Sequence, residues 1–307
     1  MPPMIVISVT PYVTIAGASQ AVQLAREDGF SGVELNEDHL HSSVAAKPHC
    51  LTLLKEFSKD KRMLNSLHKT LNRPSIDSPD ARERRIAVDY TLKTLDYMEK
   101  AGIPRMVLHS FSDLPTFFRL KTECANRTGF YIGSNVVKVY GIIAPALKAY
   151  RQSKKEMFQE NFMRSLTEIA RYAADKRVNN KPIEIVFEEH YSDAIDYELI
   201  TYGKGNFINV IRGVDTAHHL IRTGKDLDLE EMSEPVHFHA VDTNGRIDDH
   251  RPVGTGRVLF EASLSAAIGK NLTDSVVLED GTRAGALRSK EALELIIKRI
   301  SMTKSNR

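Results

Sequence analysis

The chain has 307 residues, with 42 lysines and arginines against 40 aspartates and glutamates, giving a formal net charge of +2. A composition that is 42% apolar and 27% charged excludes wholesale disorder and collagen-like repeats, and the near-neutral balance lacks the basic excess of a dedicated nucleic-acid binder. Two cysteines, Cys50 and Cys124, exclude a disulfide framework and point to a reducing, cytoplasmic setting. The apolar runs are too short to cross a bilayer, and the N-terminus has no basic stretch ahead of an apolar core.

Short apolar runs bounded by turn residues predict buried parallel strands, and stretches of helical period lie between them. The first strand is expected at Ile5–Val9, followed by a helix over Ala18–Asp28 that stops at Gly29. The second strand is expected at Gly32–Leu35, a helix around Pro48–Lys59, and the third strand at Met63–Leu67. Pro79–Ala101 is long and periodic, with Ile86, Tyr90, Leu92, Leu95 and Met98 on its apolar side and Gly102 as its stop; Met106–Leu108 is the fourth strand. Ser110–Lys154 breaks the rhythm. It is rich in bases (Arg119, Lys121, Arg127, Lys138, Lys148, Arg151) and too long for a plain βα loop, so it reads as an insertion with a helix near Ile143–Tyr150 running into Lys155–Arg177. Strands then follow at Ile183–Phe187, Arg212–Asp215, Val236–His239 and Ser275–Leu278, with helices near Leu220–Arg222, Leu259–Ala267 and Lys290–Ile300.

Eight short strands alternating with helices predict an α/β protein, a (β/α)8 TIM barrel, as one domain over residues 1–307, with an extended, partly helical insertion after strand 4 at about 110–154. The competing open doubly wound sheet loses its dinucleotide-binding version, because no G-x-G-x-x-G follows any strand.

A barrel carries its chemistry where strands run out into βα loops. Strand two holds Glu34, strand three ends in His68 and strand four in His109. Strand five ends in Glu188-Glu189-His190, strand six in Asp215-Thr216-Ala217-His218, strand seven in His239-Ala240-Val241-Asp242 and strand eight in Glu279-Asp280. A lone histidine after a strand is ordinarily a polar loop residue. A ring of carboxylates and imidazoles at one mouth, however, would repel and lose solvation unless a cation sat in its middle. Glu188, Asp215, His239 and Glu279 offer three carboxylates and one imidazole, a set suited to Mn²⁺, Co²⁺ or Mg²⁺ and accepting Zn²⁺. His237 faces the same side as His239 one layer deeper and reads as a buried supporting group. Glu189 is the rival to Glu188, because a one-residue shift reverses which side chain points inward. His39, His41 and His49 receive no role.

The stretch from His239 to Gly256 resembles the H-x-x-D-x-x-G-x-x-D-x-H-x-x-x-G-x-G signature of the xylose isomerase-like barrels, a superfamily of sugar and sugar-phosphate isomerases and epimerases that also includes endonuclease IV. Gly32-Val33-Glu34-Leu35, Glu188-Glu189-His190, Asp215-Thr216-Ala217-His218 and Leu278-Glu279 resemble its other strand motifs. The resemblance implies one divalent cation on Glu188, Asp215, His239 and Glu279. It implies Glu188 and Glu279 as the acid/base pair, and His218 against substrate hydroxyls. In the endonuclease branch, His68 and His109 would join Glu188 on a second zinc, and His218, Asp248 and His250 would hold a third. Glu34, Lys69 and Arg283 are candidates for contacting substrate, the two bases through a phosphate or carboxylate group.

Two chemistries compete for this site. In one, a sugar or sugar phosphate is isomerised or epimerised by glutamate-mediated proton transfer through a metal-stabilised enediolate. In the other, a zinc-dependent endonuclease hydrolyses the phosphodiester at an abasic DNA site. Local sequence favours the first. His68 is followed by Lys69-Thr70-Leu71-Asn72 where endonuclease IV-like chains show H-x-x-Y-x-x-N; His109-Ser110-Phe111-Ser112 stands for H-P-G-S, and His239-Ala240-Val241-Asp242 for H-x-N-D. The basic insertion favours the second. A non-catalytic barrel that has lost a ligand is a third class, and no ligand type is missing. The expected partner is a small sugar or sugar phosphate, with DNA only under the alternative and no membrane. Self-association is left open.

Overall fold

The computed structural model describes residues 3–8, 12, 17–46, 49–60, 63–69, 75–109, 153–188, 207 and 209–305. In chain order the elements are β1 (Met4–Ser8), α1 (Ala18–Glu27), β2 (Gly32–Asn36), α2 (Glu37–Ala46), α3 (Cys50–Ser58), β3 (Leu64–His68), α4 (Ala81–Ala101), β4 (Arg105–His109), α5 (Lys155–Asp175), β5 (Arg177–Val178), β6 (Lys181–Pro182), β7 (Glu184–Glu188), β8 (Val210–Asp215), α6 (Thr216–Thr223), β9 (Val236–Ala240), α7 (Phe260–Gly269), β10 (Ser275–Leu278) and α8 (Arg283–Ser305). Eight of the strands close into a parallel barrel in the order β1-β2-β3-β4-β7-β8-β9-β10, and β10 pairs back to β1. The short β5–β6 pair is antiparallel and stands outside the ring.

All eight barrel strands fall where the apolar runs predict them. Two helical expectations are corrected. The single helix around Pro48–Lys59 is preceded by a separate one, α2, which starts directly after β2, and the last helix begins at Arg283 rather than Lys290. Of the insertion expected over 110–154, residues 110–152, with the helix near Ile143–Tyr150, lie outside the described residues, as do Glu189 and His190; α5 starts at Lys155 as expected. No helix among the described residues is long and apolar enough to cross a membrane.

Strand alternation separates two interiors. Ile5, Ile7, Val33, Leu35, Met106, Leu108, Ile185, Phe187, Phe238, Val276 and Leu278 point outward and form one core with the helices. There Phe162 of α5 meets Phe187 of β7 edge to face, ring centroids 5.0 Å apart. Burying each such ring contributes about 2–3 kcal/mol. Inside the ring, Val6, Val107, Val186 and Val277 share the space with buried polar groups, among them Ser8, Glu34, Ser66 and His237. The barrel therefore carries polar chemistry along its axis well below its mouth.

One irregularity makes this possible. The β2–β3 pairing runs Val33 to Leu64 and then Glu34 to Ser66, so Asn65 is an extra residue, a β-bulge. It lets Leu64 and Leu67, three apart, both join the outer core while Ser66 and His68 face inward. Asn65 itself turns inward and donates from Nδ2 to Ser275 Oγ on β10 at 3.2 Å. At the floor, Arg105 of β4 reaches across the ring to Asp274, just before β10, with Nη1 and Nη2 at 2.9 and 3.1 Å, while its Nε bonds Glu184 at 2.7 Å. Burial works against the charge on Asp274, but its hydrogen bond and attraction to Arg105 prevail and hold its carboxyl below the usual range.

Helix ends obey local chemistry. The Asp80 carboxylate caps α4 by accepting from the backbone N–H of Arg82 and Glu83, and the helix stops at Gly102 in the left-handed region, φ 78°. A Cβ on Gly102 would also fall inside contact distance of the Ser58 side chain on α3. Gly102→Ala is therefore expected to lower stability by about 2 kcal/mol, read as a shift of the denaturant midpoint at unchanged slope.

Candidate metal centre

The strand termini place the ring of acids and imidazoles as the spacing predicts. Glu188 ends β7, Asp215 ends β8, His239 lies near the end of β9, and Glu279 follows β10. They meet. His239 Nδ1 stands 3.1 Å from Glu188 Oε2 and 3.3 Å from Glu279 Oε1, and ligand atoms of Glu188, Asp215 and His239 all lie within 4.8 Å of one another.

Asp215 has two tasks. Its Oδ1 caps α6 by accepting the His218 backbone N–H at 2.7 Å, which fixes the carboxylate; its Oδ2 is buried with no hydrogen-bond partner among the described residues. Glu188 Oε2 and both ring nitrogens of His239 are in the same condition. Buried polar atoms without hydrogen bonds cost about 1–3 kcal/mol each, more when charged, so this group of orphaned donor atoms on one point fits a divalent cation.

The remaining histidines assemble around the same hub. His68 Nε2 lies 3.0 Å from His109 Nε2, 3.7 Å from Glu188 Oε2 and 3.8 Å from Glu279 Oε1. His68 Nδ1 faces the Lys69 carbonyl at 3.1 Å. A carbonyl only accepts, so that nitrogen carries the proton, and in the neutral ring Nε2 keeps its lone pair for the cluster. On the other flank His218 Nδ1 is 3.2 Å from Glu188 Oε1, while Asp248 Oδ2 is approached by His218 Nε2 at 3.3 Å and His250 Nε2 at 3.2 Å. His250 Nδ1 donates to the Glu279 carbonyl at 3.1 Å.

The electrostatics follow from crowding in a dry site. Burial alone would strip His68 of its proton, but the nearby carboxylates of Glu188, Glu279 and Glu34 outweigh it and raise its pKa to about 9. His109, dominated by burial and flanked by other imidazoles, is pushed down to about 3 and is neutral. Burial, with the neighbouring charges of Glu188, Asp248 and Glu279 beside it, raises Asp215 to about 7. Burial opposes the charge on Glu188, but His239, with His218 on its other oxygen, holds its carboxyl well below the ordinary range.

Residues that sequence reasoning treated lightly complete the site. Asp242 is fully buried and organises the loop that carries Asp248 and His250. Its Oδ1 accepts from the backbone N–H of Thr243 and Val258, and its Oδ2 from Gly254 and Gly256, at 2.7–3.1 Å. A side chain at Gly256 would collide with Asp242 Oδ1 and the Thr243 carbonyl, and Gly254 sits at φ +83°. The D and the last two G positions of the motif are thus one anion clasped by its own loop. Glu34 is buried on the axis beneath His239, bonded by Ser66 Oγ at 2.6 Å and His237 Nε2 at 3.1 Å. Lys69 is buried just beyond His68. Arg283 turns its guanidinium to Asp28, with Nε and Nη2 both on that carboxylate, an ion pair outside the cluster.

Comparison with known proteins agrees with the barrel fold. A sequence family described as xylose isomerase-like TIM barrel matches residues 22–299. Among solved structures, a D-tagatose 3-epimerase-like protein superposes with a TM-score of 0.64 at 16% identity, covering 98% of this chain and 99% of the other. An IOLI protein with a binding zinc atom gives 0.66 at 15%, covering 97% and 99%. The 3-keto-D-glucoside 4-epimerase YcjR from E. coli gives 0.61 at 15%, covering 96% and 98%. No curated protein matches by sequence. With the family match spanning most of its length, the chain belongs to the xylose isomerase-like TIM barrel family.

Proposed function

We propose that this chain is a divalent-metal-dependent isomerase or epimerase of a sugar or sugar phosphate, working in the cytoplasm. The observation that carries the reading is the approach of two carboxylates, Glu188 and Glu279, from strands three apart around the ring to one nitrogen of His239. Glu188, Asp215, His239 and Glu279 would hold the ion, with Mn²⁺, Co²⁺ or Mg²⁺ suiting the oxygen-rich set and Zn²⁺ accepted. When bound, the cation polarises the substrate carbonyl. One of the two glutamates takes the proton from the carbon beside that carbonyl. The same or the opposite glutamate then returns a proton, to the neighbouring carbon in isomerisation or to the other face of the same carbon in epimerisation. His218, set between Glu188 and Asp248, orients substrate hydroxyls, and Lys69 offers a cation to a phosphate. The epimerase activities in the names of two structural neighbours support this direction.

A zinc-dependent endonuclease is the second reading. It is favoured by the gathering of His68, His109 and Glu188 and of His218, Asp248 and His250 into two further sets of donor atoms. Calorimetric titration of metal-stripped protein with Mn²⁺ is expected to give one ion per chain, and the loaded protein is expected to interconvert members of a ketose and ketose-phosphate panel. Glu279→Gln is expected to lower that turnover by about 10²–10⁴-fold. Two or three tightly held zinc ions, cleavage of abasic duplex DNA and no sugar turnover would replace the first reading with the second.

A further inference from the structure

His239 has one proton to place when its ring is neutral, and two sides on which to place it. Nδ1 faces Glu188 and Glu279; Nε2 faces downward and has Glu34 Oε2 at 3.5 Å, an ion-pair approach rather than a formed hydrogen bond. If Nδ1 is to meet a cation it must present a lone pair, so the proton must sit on Nε2, and there the acceptor at hand is Glu34. Glu34 is itself held in place. It is 0% exposed, its Oε2 accepts from Ser66 Oγ at 2.6 Å and His237 Nε2 at 3.1 Å, and the His237 and His239 rings stand edge to face at 4.9 Å. A carboxylate buried this deeply, with an oxygen that makes no hydrogen bond among the described residues, is costly unless positive charge lies close by.

We propose that Glu34 is a positioning residue. From beneath the cluster its carboxylate holds His239 as the Nε2–H tautomer, and so aims the Nδ1 lone pair at the point where Glu188 and Glu279 converge. The inference rests on the cation reading above and adds to it an axial carboxylate–imidazole pair that sets ligand orientation and basicity. The rival arrangement makes Glu34 a direct ligand, since ligand atoms of Glu34, His68, His239 and Glu279 also lie within 4.8 Å of one another; Nε2 would then carry the lone pair.

The test uses the full chain loaded with Zn²⁺, which is diamagnetic. With ¹⁵N-labelled histidine, two-bond ¹H–¹⁵N correlations of wild-type protein are expected to show His239 protonated on Nε2. A proton on Nδ1, or an Nε2 shifted as a metal ligand, overturns the proposal without any variant. In parallel, Glu34→Gln is expected to lower Zn²⁺ affinity by about 10–100-fold in calorimetry, with the fold retained by circular dichroism. Unchanged affinity in Glu34→Gln overturns the role of Glu34 while leaving the cation site standing. A wild-type protein that takes up no Zn²⁺, Mn²⁺ or Co²⁺ overturns the cation reading and this inference together.

Discussion

Glu188→Gln is expected to reduce turnover by about 10³-fold or more and to weaken divalent-ion binding by at least about 10²-fold. Glu188 is the hub of the cluster. His218 meets its Oε1, while His239, His68 and His109 stand 3.1, 3.7 and 4.0 Å from its Oε2. The amide keeps the shape and packing but removes the charge that several imidazoles face. It also gives up the base or acid at one side of the substrate. Steady-state kinetics on the ketose panel, together with calorimetry and a thermal melt, separate the two losses from unfolding. A variant with near-wild-type turnover would remove Glu188 from the acid/base pair.

Asp242→Ala is expected to lower stability by about 4 kcal/mol, because four backbone N–H groups lose one buried acceptor. Asp242→Asn is expected to rescue little. Each carboxylate oxygen takes two N–H groups, so an amide nitrogen on either side would face two donors with a donor. Since Asp248 and His250 ride on the same loop, both variants are also expected to lose catalytic efficiency, and Gly256→Ala should resemble them by displacing the carboxylate. Denaturant titration followed by metal titration of the folded fraction checks both parts.

Much of this was legible in one dimension. Buried parallel strands are short apolar runs, so their positions follow from composition, and the residue that ends a strand lies at the mouth by topology alone. The helix pair α2 and α3 was less legible, because Glu37–Ala46 mixes acids, histidines and serines without a strong apolar stripe and follows β2 with no intervening turn residue. Arg283 looked available to substrate because it follows Glu279 by four positions, yet its partner Asp28 is 255 residues away, a distance no local pattern encodes. Glu34 could be placed on the inward face of β2. Its height beneath His239 depends on how the whole ring closes, and only three dimensions give it. The spacing of Leu64 and Leu67 did hold a clue: two outward residues three apart cannot fit strict alternation.

The extra residue at Asn65 shifts the frame of β3. Above it, Glu34–Ser66 and Asn36–His68 stay in frame; below it, Val33–Leu64 keeps a frame of its own. Strict alternation from outward-facing Leu64 would turn His68 out of the ring, so this one residue in β3 decides that an imidazole of the mouth faces the cluster at all.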